Sequence, residues 1–69
     1  MTTIALTVNG ESRQVPPVPH ARALLEYLGL DPRAVVVELN RQIVRRDALD
    51  GTPVRDGDQV ELVHFVGGG

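Results

Sequence analysis

At 69 residues the chain holds one small domain, and folding at that size hides only about 60% of the unfolded surface, which leaves little room for an enclosed cleft. A 42% apolar, 23% charged composition is globular rather than disordered, and the longest apolar run, Ala34-Val35-Val36-Val37, is far too short to cross a bilayer. The absence of cysteine excludes disulfides, iron–sulfur clusters, thiolate zinc sites and a cysteine nucleophile, while a net charge of −2 argues against nucleic acid or an anionic membrane as partner.

Met1-Thr2-Thr3-Ile4 shows no basic segment leading into an apolar stretch, so a cytoplasmic protein is expected. Ile4, Leu6 and Val8 alternate with Thr3, Ala5 and Thr7, and Asn9-Gly10 is the pair best suited to a two-residue type I′ turn. The chain therefore opens with a hairpin. Its second arm, residues 11–15, runs into Pro16-Pro17-Val18-Pro19, where three prolines forbid a strand or helix interior and predict a crossing loop. Ala21, Leu24, Leu25 and Leu28 then recur at i, i+3, i+4 and i+7, which predicts one amphipathic helix beginning at His20. Gly29 suits the left-handed position after it, and Asp31-Pro32 the cap and first position of a further single turn.

Val35-Val36-Val37-Glu38-Leu39 is β-branched and nearly all apolar, as expected of a strand at the heart of a sheet. Residues 40–46 give no firm element, and residues 47–51 suit a brief turn or a single helical turn. Asp56-Gly57-Asp58 is a turn signal. Gln59 to Val66 is the longest strand candidate, with Val60, Leu62 and Val66 on one face and Glu61, Val63 and Phe65 on the other. The first set is expected to pack with Leu24, Leu28 and Val36 or its neighbours; Val63 and Phe65 are expected on an open face. The order strand, strand, helix, strand, strand predicts an α+β fold of β-grasp (ubiquitin-like) type, a four- to five-stranded mixed sheet with one main helix. Residues 1–66 form the domain, and residues 67–69 a flexible glycine tail.

Side-chain catalysis has little raw material. Ser12 reads as an exposed hairpin hydroxyl, and His20 and His64 lack the spacing of a hydrolytic or metal site. Asp56, Asp58 and Glu61 are too closely spaced for a calcium loop and read as a solvated turn. The tail is the informative feature: an apolar strand runs straight into Gly67-Gly68-Gly69, and ordering each such residue costs about 1–2 kcal/mol, so packing does not explain it.

The second half of the chain resembles the ThiS family of thiamine-biosynthesis sulfur carriers. The resemblance rests on Val37-Glu38-Leu39-Asn40, Ile43-Val44 and Arg46, then on the run from Asp56-Gly57-Asp58 through Gln59-Val60-Glu61-Leu62-Val63-His64-Phe65-Val66 to Gly67-Gly68-Gly69, and more loosely on Leu24-Leu25-Glu26-Tyr27-Leu28. The chain departs from the family at His20, a poorer cap than the usual Thr, and at Leu49, where an aromatic is common.

The resemblance implies a carrier rather than an enzyme. It further implies that the carboxylate of Gly69 is adenylated by a ThiF-like enzyme using MgATP, converted to a thiocarboxylate with sulfur from a cysteine desulfurase system, and delivered to a ThiG-like thiazole synthase. Gly67, Gly68, Val63, Phe65 and Val66 are the expected partner-binding residues, with no metal and no cofactor on the chain itself. Three extended residues span at most roughly 10–11 Å, enough to carry a reactive end off the domain. The same tail chemistry serves sulfur carriers for molybdopterin or tRNA thiolation and ubiquitin-like protein modifiers, and an inert tail would leave a plain interaction module.

Overall fold

A computed structural model describes residues 2–65. The expected final strand residue, Val66, and the glycine tail lie outside the described residues. Two type I′ turns organise the strands. In the first, Asn9 and Gly10 both have positive φ (50° and 83°), which joins β1 (Ile4–Val8) to β2 (Glu11–Val15) in antiparallel register from Ile4 opposite Val15 to Val8 opposite Glu11. The second is less visible in sequence: Asn40 (φ 50°) and Arg41 (φ 71°) join β3 (Val35–Leu39) to the short β4 (Gln42–Val44), with Leu39 opposite Gln42. Arginine in a left-handed conformation is what hides this turn, because glycine is the usual residue there.

The segment from Pro16 to Pro19 crosses to α1 (Ala21–Tyr27). His20 is a better cap than its residue type suggests: its Nδ1 accepts from the Ala23 N–H at 3.1 Å, the bond a threonine hydroxyl would make. Gly29 closes the helix at φ 76°, and Asp31 caps a 3₁₀ turn, Pro32–Ala34. A second 3₁₀ segment, Arg46–Gly51, buries Leu49 before the chain reaches β5 (Gln59–His64).

The five strands form one mixed sheet in the order β2-β1-β5-β3-β4, the β-grasp arrangement. Its heart is β5, paired in parallel with β1 and antiparallel with β3, and not β3 as the valine run implies. The helix lies over one face. Ala21, Leu24 and Leu25 from α1 meet Leu6, Val8, Val15, Val35, Val37, Val60 and Leu62 from the sheet, with Leu49 and Val54 closing the ends and Leu28 partly buried beside them. Val36 does not join this core. Strand alternation puts Val35 and Val37 inward, 7% and 3% exposed, and turns Val36 to the opposite face.

Candidate functional site

The strand leading toward the tail is held from both sides. On the β1 side, the Asn9 N–H donates to the Val60 carbonyl at 2.9 Å, and the Asn9 side-chain oxygen accepts from the Leu62 N–H at 2.7 Å. The asparagine thus extends a parallel ladder beyond the point where β1 turns away, satisfying a partly buried donor. On the β3 side, the Asn40 N–H donates to the Gln59 carbonyl, its Oδ1 accepts from the Gln59 N–H, and its Nδ2 donates to Asp58. Further on, the Phe65 N–H donates to the Ala34 carbonyl at 3.0 Å, so pairing with the β3 side continues one residue past the strand.

Asp56 and Asp58 are structural acceptors rather than merely solvated ends. Asp56 Oδ1 takes the Ala5 N–H at 2.7 Å, Asp58 Oδ2 takes the Arg55 N–H, and the Gly57 N–H donates to the Ala5 carbonyl. Gly57 has φ 88°, a conformation that favours glycine. This turn pins the entry of β5 to β1, and Glu61 belongs to the strand instead.

The sheet face opposite α1 is uncovered at its β3–β5 end. Val63 and Phe65 are 60% and 61% exposed, as the period of two predicts, and Ile43 on β4 is 69% exposed. Val36 pairs directly with Val63 across the β3–β5 ladder, and Glu38 pairs with Glu61 on one side and Ile43 on the other. An apolar strip therefore runs along this face toward Phe65, with two carboxylates in the adjoining rung. Sequence reasoning found Val63 and Phe65 but not Val36 or Ile43. Val36 is concealed in a run of three valines, and Ile43 becomes legible only once the Asn40-Arg41 turn is recognised.

The remaining polar residues do not converge. Ser12 sits on the edge strand β2, His20 caps α1, and His64 lies opposite Val35 at the end of β5. Among the described residues no group of three or more His, Cys, Asp or Glu side chains is placed to hold a metal ion. Two surface clefts of about 460 Å³ each are lined by Arg45, Arg46 and Asp47, and by Arg22, Asp31, Pro32, Arg33 and Arg46. Arg45 pairs with Asp47 and Arg33 with Asp31 inside the clefts, and Arg22 pairs with Glu26 and Asp50 outside them. The Arg33 side chain, then its backbone N–H, hydrogen-bond the Asp31 carboxylate and hold its pKa below the usual range. The clefts offer no nucleophile beside a base.

Comparison with known proteins agrees with this geometry. The profile of the ThiS family matches residues 6–69. The crystal structure of a thiamine biosynthesis protein (ThiS) from Geobacter metallireducens superposes with a TM-score of 0.82 at 40% identity, covering 96% of this chain and all of that one. The sulfur carrier protein ThiS of Bacillus subtilis is 39% identical over 46 residues, 67% of this chain and 70% of that protein. A thiazole synthase from Paramagnetospirillum magneticum is 44% identical over 64 residues; the match takes in 93% of this chain but spans only 20% of the synthase. With the profile running across nearly the whole sequence and the fold shared with a ThiS structure, the chain belongs to the ThiS family, the sulfur carriers of thiamine biosynthesis.

Proposed function

We propose that the chain carries sulfur on the carboxylate of Gly69. A free α-carboxyl ionises with a pKa of about 3.3–3.7, so at neutral pH it is an anion and a poor electrophile. It must be activated before sulfur can be installed. A ThiF-like enzyme joins a carboxylate oxygen to the α-phosphorus of MgATP, and pyrophosphate leaves. The terminal sulfur of a persulfide, supplied by a cysteine desulfurase system, attacks the acyl carbon and AMP leaves. A thiol then cleaves the sulfur–sulfur bond of the acyl persulfide, becoming part of a disulfide and releasing the thiocarboxylate. A ThiG-like thiazole synthase takes the sulfur for the thiazole ring.

The observation that carries this reading is that the family match continues through residue 69 and so takes in all three terminal glycines. The occurrence of a segment like this chain within thiazole synthases supports that enzyme as the acceptor. Glycines at positions 67 and 68 lack the Cβ atoms that would obstruct a narrow active-site channel, and the chain's part is to present the carboxylate while the partner supplies MgATP and the catalytic groups. Charging by an ATP-using enzyme fits a protein of the cytoplasm. Val63, Phe65 and Val66 are proposed to dock the partners beside the tail.

The test is the intact mass of the protein after incubation with the adenylating enzyme, MgATP and a persulfide donor. One oxygen replaced by one sulfur is the expected change. Removing Gly69 is expected to abolish charging without altering the melting temperature, since the reacting atom moves. Thiocarboxylate formation at the native rate by the shortened chain would refute the assignment.

A further inference from the structure

The open sheet face carries a pairing that folding alone disfavours. Glu38 and Glu61 stand directly opposite each other on β3 and β5, a position in which Cβ atoms lie about 5 Å apart and like charges are destabilising. Among the described residues the ion pairs are Arg22 with Glu26 and Asp50, Arg33 with Asp31, and Arg45 with Asp47; none reaches either glutamate. Both carboxylates adjoin apolar surface: Ile43 is across from Glu38, the Val36–Val63 pair is the next rung on the same face, and Phe65 lies beyond. A protein that covered Val63 and Phe65 would also strip water from these two carboxylates, and doing so is unfavourable unless a cation meets them.

We infer that this face docks a cationic surface of thiazole synthase, in which an arginine or lysine seats between Glu38 and Glu61 while apolar side chains cover Val63 and Phe65. This rests on the function proposed above and adds the chemistry of the partner's contact. A guanidinium is the better fit, because its planar fork can donate to both carboxylates at once. Thiazole synthase is the occupant because some synthases contain a segment matching 93% and 90% of this chain, so the two surfaces there belong to one polypeptide. The repulsion between the glutamates is then relieved on docking, and the acidic rung helps to set the orientation in which the strip approaches.

The experiment titrates the full chain onto the thiazole synthase of the same organism by calorimetry at low and high ionic strength, alongside thermal melts of the free carrier. Glu38→Gln and Glu61→Gln are each expected to weaken binding about three- to tenfold at low salt, with the difference shrinking as salt rises. Their melting temperatures are expected to hold or rise, because the like-charge pair is gone; a merely structural role would lower them. Glu61→Arg is expected to weaken binding further. Unchanged affinity of both glutamine variants for the synthase at low salt would overturn the inference. Phe65→Ala separates it from the reading beneath it. Binding lost in Phe65→Ala but kept in the glutamine variants removes only the cationic contact, whereas binding kept in all three removes docking through this face.

Discussion

Leu62 and Phe65 lie three residues apart at the end of the same segment, yet truncating each to alanine is expected to do different things. Leu62 is 8% exposed within the core, and Leu→Ala changes at such sites cost about 2–5 kcal/mol. A domain of this length has a total stability of roughly 3–10 kcal/mol, and each kcal/mol moves the melting temperature by about 4–8 °C at this size. Leu62→Ala should therefore lower the melting temperature by about 10 °C or more and leave a substantial unfolded population in the weaker part of that range. Phe65 is 61% exposed. Complete burial of such a side chain is worth about 1.5–3 kcal/mol, and with some two-fifths of its surface covered the loss should be about 1 kcal/mol or less. Its melting temperature should fall by a few degrees at most, while binding to the adenylating enzyme and thiazole synthase falls sharply. Circular-dichroism melts with parallel calorimetric titrations measure both quantities. If Phe65→Ala proves as destabilising as Leu62→Ala, with the folded fraction binding normally, Phe65 is a core residue and the docking face is misassigned.

Asn9→Ala removes the acceptor of the Leu62 N–H and places alanine at φ 50°; with about 1–3 kcal/mol for the lost partner and about 1–2 for the conformation, a loss of about 2–5 kcal/mol is expected from denaturant midpoints. Asn9→Gly tolerates the angle but not the missing bond and should recover part of that loss; full recovery would show the hydrogen bond to be worthless. Arg41→Gly should stabilise: relief of about 1–2 kcal/mol of left-handed strain outweighs the roughly 0.4–1 kcal/mol by which glycine favours the unfolded chain. A lower melting temperature for Arg41→Gly would mean that the arginine makes a stabilising contact not evident in its conformation.

Most of the architecture is written in local chemistry that acts over a few residues. The alternation of Ile4, Leu6 and Val8, the Asn9-Gly10 turn, the helical spacing of Ala21, Leu24, Leu25 and Leu28, and the glycine at position 29 each specify their own conformation, and each appears as expected. What sequence misplaces is decided by pairing between distant segments. A run of apolar β-branched residues shows that Val35–Leu39 is a strand but not which strands flank it, and the central place goes to β5 because β1 enters parallel to it. The same run cannot say whether Val36 or its neighbours face the helix, since shifting the register by one residue exchanges the faces. His20 reads as a poor cap for a related reason: imidazole is an uncommon cap by frequency, but its Nδ1 can accept when extended backbone aims it at the first turn. The face proposed to dock partners is half legible in the sequence. Val63 and Phe65 follow from a period of two alone, whereas Val36, Ile43 and the Glu38–Glu61 rung exist only after three strands have been laid side by side. A site on a sheet face is a property of register, so residues that look unremarkable along the chain become neighbours with a shared chemistry. The residues most worth mutating here are therefore those whose sequence neighbours point into the core while they themselves point out, because in them a change of function is least confounded with a change of fold.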